Sequence, residues 1–512
     1  MVKSKDMKIE TNKKILRALL TLSYLCVSSI VVFLISSMYS YFNTGADRSK
    51  LLHTEVKKID QYLPKITWKE DGNVGREMNP QTLENIENDY LDAWYVQQVA
   101  YKTNTTKGVD DYFTENARKN LFAFVEHNKT ENIMVDSTTL EHHPDILFFS
   151  EDGQLVVIQD KEVVEHKKVF KNKELLFETT EKSDYKIILL AEDGFWRIRH
   201  IVKEKSIENA PKVQLVNFNI NTVKGINYYP QATPWKMFGD QFDLKIIAND
   251  FEIIKNAGLN TIRIFIPYEG FGKAKVKDEK LNKLTQVLDL AEESQLKVII
   301  TLFDFYGNYE TSDWTLNHRH AETIVSTFKN HPALLAWDIK NEPNLDFDSR
   351  GKQQIISWLE HLIVLVKSID EKHPITIGWS NAESATILKD KVDFISFHYY
   401  GDYKSFGSIY DKIKEEAPDK GIILGEFGTS SYSGLWKPIR KSKNKQATYH
   451  REMQKILTYK NIPFISWTLY DFDKIPKEVV GRLPWRTQPQ KKFGFIDSKG
   501  NKKPSFQYIS KE

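Results

Sequence analysis

The chain has 512 residues, 41% of them hydrophobic and 28% charged, which is the composition of an ordinary globular bulk. At roughly 150 residues per domain it holds more than one domain, and neither wholesale disorder nor an all-membrane protein fits. The net charge of +3 is unevenly placed: residues 1–17 carry six basic residues against Asp6 and Glu10, +4 in all, so the rest of the chain sums to −1. A near-neutral body excludes the basic footprint of a nucleic-acid binder.

From Ala18 to Ala46 there is no charged residue. The apolar part, 18–42, has the length needed to cross a hydrocarbon core of roughly 30 Å, and Tyr39, Tyr41 and Phe42 sit at its far end, where an interfacial belt would lie. The basic cluster of 1–17 precedes it, so the positive-inside rule puts that tail in the cytoplasm and the remainder in the periplasm or outside the cell. A cleaved signal peptide is the competing reading. Its apolar region would be about 7–15 residues and end in a small-x-small site. The stretch here is longer and no clean site follows, so the expectation is an uncleaved single-pass anchor in the cell membrane. Cys26, the only cysteine, lies inside it. The exported part therefore has no disulfide, thiolate metal site or cysteine nucleophile.

Residues 43–75 are polar, with Gly45, Pro64, Gly72 and Gly75, and read as a linker. Over 76–205 the pattern changes. Leu83, Ile86, Tyr90, Leu91, Trp94 and Val99 recur at helical spacing in 80–104, and 109–127 gives a second helix. The period then shortens, and strands are expected at 144–149, 154–158, 174–179, 185–191 and 194–202. Adjacent His142 and His143 read as solvated loop residues. Helices first, then an antiparallel meander, resembles the NTF2-like (cystatin-like) α+β superfamily. The segment contains no evident acid–base pair, so a spacer or docking role is expected of it.

Residues 213–512 hold eight of the eleven tryptophans. Eight short β-branched runs, at 222–228, 260–266, 297–303, 334–339, 374–379, 393–398, 421–426 and 463–469, alternate with helical patterns such as 243–257, 281–295, 319–330, 351–370 and 444–459. That is the arithmetic of an α/β fold of the (β/α)8 barrel type. A doubly wound open sheet is the alternative, disfavoured because no glycine-rich fingerprint follows the first strand. In such a barrel the C-terminal strand ends carry the chemistry. Strand four ends in Asn341-Glu342-Pro343, strand six in His398-Tyr399-Tyr400, and strand seven in Glu426-Phe427-Gly428; strand two carries Arg263 and strand eight Trp467. Glu342 and Glu426 would face each other across a tryptophan-lined cleft. Two carboxylates so placed are the minimum equipment for glycoside hydrolysis.

These motifs, in this order, resemble the clan A glycoside hydrolases, above all glycoside hydrolase family 5 and the TIM-barrel part of family 2, over roughly residues 215–512. The resemblance implies that Glu342 is the general acid/base and Glu426 the nucleophile of a retaining double displacement. It implies that Asn341 bonds the sugar 2-hydroxyl, that Arg263 and Tyr400 hold Glu426 ionised and aimed, that His398 lies near the acid/base or the sugar, and that Trp467 is a stacking platform. Many family 5 members have a histidine after strand three; this chain has Asp304, which could bond sugar hydroxyls instead. Trp337 and Trp358 read as core, whereas Trp235, Trp314, Trp436 and Trp485 fall in expected mouth loops. No cofactor and no metal are expected. The substrate class implied is a β-linked oligo- or polysaccharide. A transglycosylase that remodels an exported polysaccharide and a non-catalytic glycan-binding scaffold are the other functions these residues allow.

Overall fold

A computed structural model describes residues 19–35, 62–69, 72–209, 214–216, 219–434, 442–480 and 483–510. Residues 19–35 are helical and their apolar side chains are exposed, as at Leu22 and Phe33. Among the described residues no helix is long and apolar enough to cross a membrane. The span expected over 18–42 is therefore not supported by the structure; Ala18 and 36–42 lie outside the described residues, as do the basic tail and Trp436.

The first unit is built on the helix Pro80–Thr103. Asn79 caps it by accepting from the Thr82 backbone N–H at 2.8 Å, Pro80 opens it, and Asn104 closes it in the left-handed conformation. Ile86, Tyr90, Ala93, Trp94 and Ala100 form its buried face. A one-turn helix, Val109–Tyr112, and the helix Glu115–Thr130 follow, in place of the single helix expected there. The sheet comprises β1 (Lys65–Ile66), β2 (Ile133–His142), β3 (Pro144–Phe149), β4 (Leu155–Lys171), β5 (Glu174–Glu192) and β6 (Phe195–Glu208). Its order is β1-β2-β4-β5-β6, with β3 pairing β4, and every pairing but the parallel β1–β2 is antiparallel. Three differences from expectation stand out. Strand β2 was not anticipated; β4 and β5 are each far longer than the segments read from hydropathy; and 65–66, read as linker, is a strand whose neighbours Tyr62 and Trp68 pack on this unit's core.

The second unit is a closed barrel of eight parallel strands: β7 (Lys224–Asn227), β8 (Thr261–Pro267), β9 (Lys297–Asp304), β10 (Leu334–Asn341), β11 (Ile375–Trp379), β12 (Phe394–Tyr399), β13 (Gly421–Phe427) and β14 (Phe464–Ser466). They pair in sequence and β14 closes on β7. Each falls within one or two residues of an expected run, except that β14 stops at Ser466, just before Trp467. Long helices (Leu244–Asn256, Asp278–Glu293, Trp314–Phe328, Lys352–Ile369, Tyr403–Glu416 and Lys443–Lys460) supply six of the seven connections between successive strands, and turns at 380–393 supply that between β11 and β12. This is a (β/α)8 TIM barrel. Trp337 and Trp358 are fully buried in its core.

The two units meet around Trp314. It is buried rather than open at the mouth. His166 of β4 stacks on it at 4.3 Å and His361 of the Lys352–Ile369 helix stacks on it at 4.7 Å. Lys102 reaches Glu310 at 2.8 Å across the same seam, and the Leu63 backbone N–H donates to Thr315 Oγ1 at 3.0 Å.

His142 also departs from expectation. Histidines in succession on an extended chain do face opposite ways, but the inward one is fully buried. Its Nδ1 lies 2.7 Å from Asp160 Oδ2 and its Nε2 2.8 Å from Thr139 Oγ1, and Tyr90 donates to the same Asp160 oxygen at 2.6 Å. The cluster satisfies the buried polar groups of Thr139, His142 and Asp160.

Candidate active site

Strand β8 places Arg263 inside the barrel, buried, and the whole site is arranged around its guanidinium. Nη2 and Nε donate to Asp338 Oδ2 at 2.6 and 3.0 Å. Thr301 adds a 2.7 Å bond to the same oxygen, and the Gly378 backbone N–H donates to Oδ1 at 2.9 Å. With its own charge so matched, Arg263 points Nη1 at Glu426 Oε1, 2.8 Å away, and at Asn227 Oδ1, 3.0 Å away. Its Nη2 also donates to Asn341 Oδ1 at 2.8 Å. That bond orients the Asn341 amide.

Glu426 ends β13 and is 4% exposed. Tyr400 donates to its Oε2 at 2.7 Å, across the edge of the cleft. Glu342 ends β10 in the left-handed conformation, φ 50° and ψ 45°. Pro343 disfavours the right-handed helical region for the residue before it, and the Glu342 N–H is tied to the Gly378 carbonyl at 2.7 Å. The chain thus turns sharply where the carboxylate must enter the cleft.

His398 joins the two glutamates. Its Nδ1 lies 2.8 Å from Glu342 Oε1 and 3.6 Å from Glu426 Oε2. One oxygen of each glutamate and a ring nitrogen of His398 lie within 4.8 Å of one another. Burial pushes the Glu342 carboxyl up, but the His398 bond and the charges of His398, Arg263 and Lys340 outweigh it and hold the group below its ordinary range. The same three side chains have the spacing of a metal site. Arg263 already sets a cation on Glu426, which disfavours a second one there.

Asp304 ends β9, 6% exposed. Burial raises its pKa to about 6 against the pull of Lys340 and Arg263. Trp467 is only 4% exposed: Trp235 covers it at 5.8 Å and Tyr229 meets it edge-on at 6.4 Å. Trp235 also lines a groove of about 700 Å³ with Phe271, Phe305, Pro267 and Lys280. Neither glutamate lines this groove; it opens to one side of them. Trp485 is 48% exposed on the short helix Pro484–Gln490.

Seven of the eight residues singled out in the sequence lie at C-terminal strand ends or just beyond them, and Arg263 lies deeper, inside its strand Thr261–Pro267. Arg263, Asn341, Tyr400 and Glu426 form one hydrogen-bonded set, His398 and Glu342 a second, and the 3.6 Å approach of His398 to Glu426 links the two. Asp304 and Trp467 flank them without bonding to them. Sequence reasoning passed over Asp338, Asn227, Tyr229 and Lys340. For Asp338 there was a signal: an acid inside the apolar run LLAWDI needs a buried cation, and Arg263 inside TIRIFI needs a buried acid.

Two carboxylates at this separation can protonate a leaving oxygen and attack a sugar carbon. Known proteins with similar sequences include β-glucuronidase from Chlorocebus aethiops, 24% identical over 285 residues, which are 50% of this chain and 40% of that one. Mannan endo-1,4-β-mannosidase A from Emericella nidulans is 26% identical over 201 residues, 31% of this chain and 52% of that one. The chain thus spans about half the length of these curated relatives. Among solved structures, a GH5_18 protein from Streptomyces cattleya in complex with GlcNAc has a TM-score of 0.46 at 14% identity, covering 56% of this chain and 78% of that one. The family model for the cellulases of glycosyl hydrolase family 5 matches residues 212–473, half of the sequence, and the chain belongs to that family.

Proposed function

We propose that the protein is a membrane-anchored retaining glycosidase that cleaves a β-linked glycan outside the cytoplasmic membrane. The observation that carries the reading is the pair Glu342 and Glu426, with oxygens within 4.8 Å of each other across His398. Retaining enzymes hold their carboxyls at roughly 5–5.5 Å and inverting ones at roughly 6.5–9.5 Å, to admit a water. Glu426, aimed by Arg263 and Tyr400, attacks the anomeric carbon while Glu342 protonates the departing oxygen. Water then enters, gives a proton to Glu342 and attacks the anomeric carbon; the bond to Glu426 breaks, and the sugar leaves with its original configuration. The Asn341 amide bonds the 2-hydroxyl as the oxocarbenium character grows. His398 Nδ1 lies against the Glu342 carboxyl. A bound sugar excludes water from both, which favours the neutral acid.

The names of the relatives, mannan endo-β-mannosidases and β-glucuronidases, support a β-linked substrate. The aromatic groove beside Trp467 suits further sugar units. Anchoring rests on the uncharged stretch at 18–46 behind a +4 tail, and a carbonate wash that releases the protein from membranes would remove that part of the proposal. For the chemistry, Glu426→Gln abolishes hydrolysis of an activated aryl β-glycoside, and azide restores turnover to Glu426→Gly as the glycosyl azide of inverted configuration. Full activity in Glu426→Gln would overturn the assignment.

A further inference from the structure

Asp304 and Lys340 stand on neighbouring strands, β9 and β10, at the ends that open on the cleft. Both are buried, at 6% and 5% exposure. Asp304 accepts a long bond from Tyr229, 3.4 Å, and one from the Phe305 backbone. Lys340 Nζ donates to the Asn341 carbonyl at 3.5 Å. The two opposite charges influence each other, yet among the described residues they close no ion pair within 4 Å. Asp338, two residues before Lys340, shows what satisfaction looks like here: its carboxylate takes four short bonds. Buried charges this thinly bonded are costly unless something else completes them.

The missing partner must donate to a carboxylate and accept from an ammonium. A hydroxyl does both, and two neighbouring ring hydroxyls span such a pair. A carboxylate substituent would suit Lys340 but would set a further negative charge against Asp304, Glu342 and Asp338. We propose that Asp304 and Lys340 together grip adjacent hydroxyls of a neutral sugar at the cleavage point, and that Lys340 is a specificity-determining residue which disfavours uronic acids there. This rests on the hydrolytic reading above. The tendency of buried Asp304 to hold its proton agrees with a hydroxyl partner.

The test uses full-length protein and dinitrophenyl β-glucoside and β-mannoside, their 3-deoxy and 4-deoxy analogues, and the β-glucuronide. In the wild type, removal of the gripped hydroxyl lowers kcat/KM roughly 10- to 100-fold, the range for a bond to a charged group. Lys340→Met loses the same factor on the parent glycoside and no more on that deoxy analogue. The glucuronide is a poor substrate. Equal losses in Lys340→Met across parent and deoxy forms would mark a merely structural lysine and overturn the proposal, as would preference for the glucuronide. The same series is titrated against Glu426→Gln by calorimetry. Lys340-dependent binding without turnover in the wild type sinks the hydrolytic reading alone; binding indifferent to Lys340, or no binding of any neutral glycoside, sinks the grip.

Discussion

Arg263 and Glu426 are joined by a buried 2.8 Å hydrogen bond from Nη1 to Oε1, and the same guanidinium holds Asp338 and Asn341 through its other nitrogens. One side chain thus fixes the candidate nucleophile and the amide proposed to bond the sugar. Lysine keeps the charge but offers no planar fork and cannot reach three acceptors in these directions. Arg263→Lys is expected to cut kcat by about 100-fold or more. It is also expected to cost about 1.5–3 kcal/mol of stability, because Asp338 loses the forked bonds of the guanidinium while staying buried. Thermal unfolding and steady-state kinetics on the same preparation check both parts. Unchanged stability would mean that Asp338 is sustained by Thr301 and Gly378 alone.

Gly378 of β11 makes this arrangement possible by having no side chain. A Cβ there would lie 2.7 Å from Arg263 Nη2 and 3.2 Å from His398 Nε2. Gly378→Ala therefore displaces the groups that aim both glutamates. The expected result is a stability loss of about 1–3 kcal/mol, the usual cost of overpacking, with a fall in kcat larger than any rise in KM. An alanine variant with wild-type kcat would show that the guanidinium can shift without consequence.

The pH profile tests His398. Its hydrogen bond and charge pull the Glu342 carboxyl down. In His398→Phe that pull is gone, only the charges of Arg263 and Lys340 still oppose burial, and the Glu342 pKa rises. The protonated acid then survives to higher pH, so the basic limb of kcat/KM against pH moves upward even as the maximal rate drops. A basic limb that stays put, or moves down, would contradict the assignment of Glu342 as the acid.

The sequence made the barrel legible because parallel strands buried on both faces are continuous β-branched runs, as in KVIITLF and GIILGE. The two glutamates were legible because each closes such a run. The small unit was harder to read. Strand β4 continues through Gln159-Asp160-Lys161-Glu162, which has no apolar alternation, because its pairing with β5 carries the ladder past a polar stretch. Asp160 is tolerated there since His142 and Tyr90 bond to it, partners distant in sequence. Trp314 was misjudged for a similar reason: its burial depends on His166, nearly 150 residues upstream. Lys340 lay in plain view just before the N-E-P segment, but its poor hydrogen bonding is visible only with neighbours in place.

The Trp314 seam yields a prediction about acid. His166, His318 and His361 all have pKa values pushed down by burial, His361 to about 3. Glu178 is lowered to about 2: burial raises it, but bonds from His166 and Ser357 and the charge of Lys168 prevail. A buried neutral histidine binds fewer protons folded than unfolded, so its contribution is lost as pH falls below about 6.5. The depressed carboxylate adds stability that is present above about 4.3 and lost on further acidification toward 2. Both signs agree, so contact between the two units weakens from about pH 6.5 downward. The apparent Tm is expected to fall steadily between pH 7 and 4, with Trp314 among the residues newly exposed to a quencher. His361→Gln, which stays neutral, flattens the upper part of that fall, and Glu178→Gln flattens only the lower part. A Tm constant from pH 7 to 5 would mean that the histidines are no better buried in the folded chain than in the unfolded one.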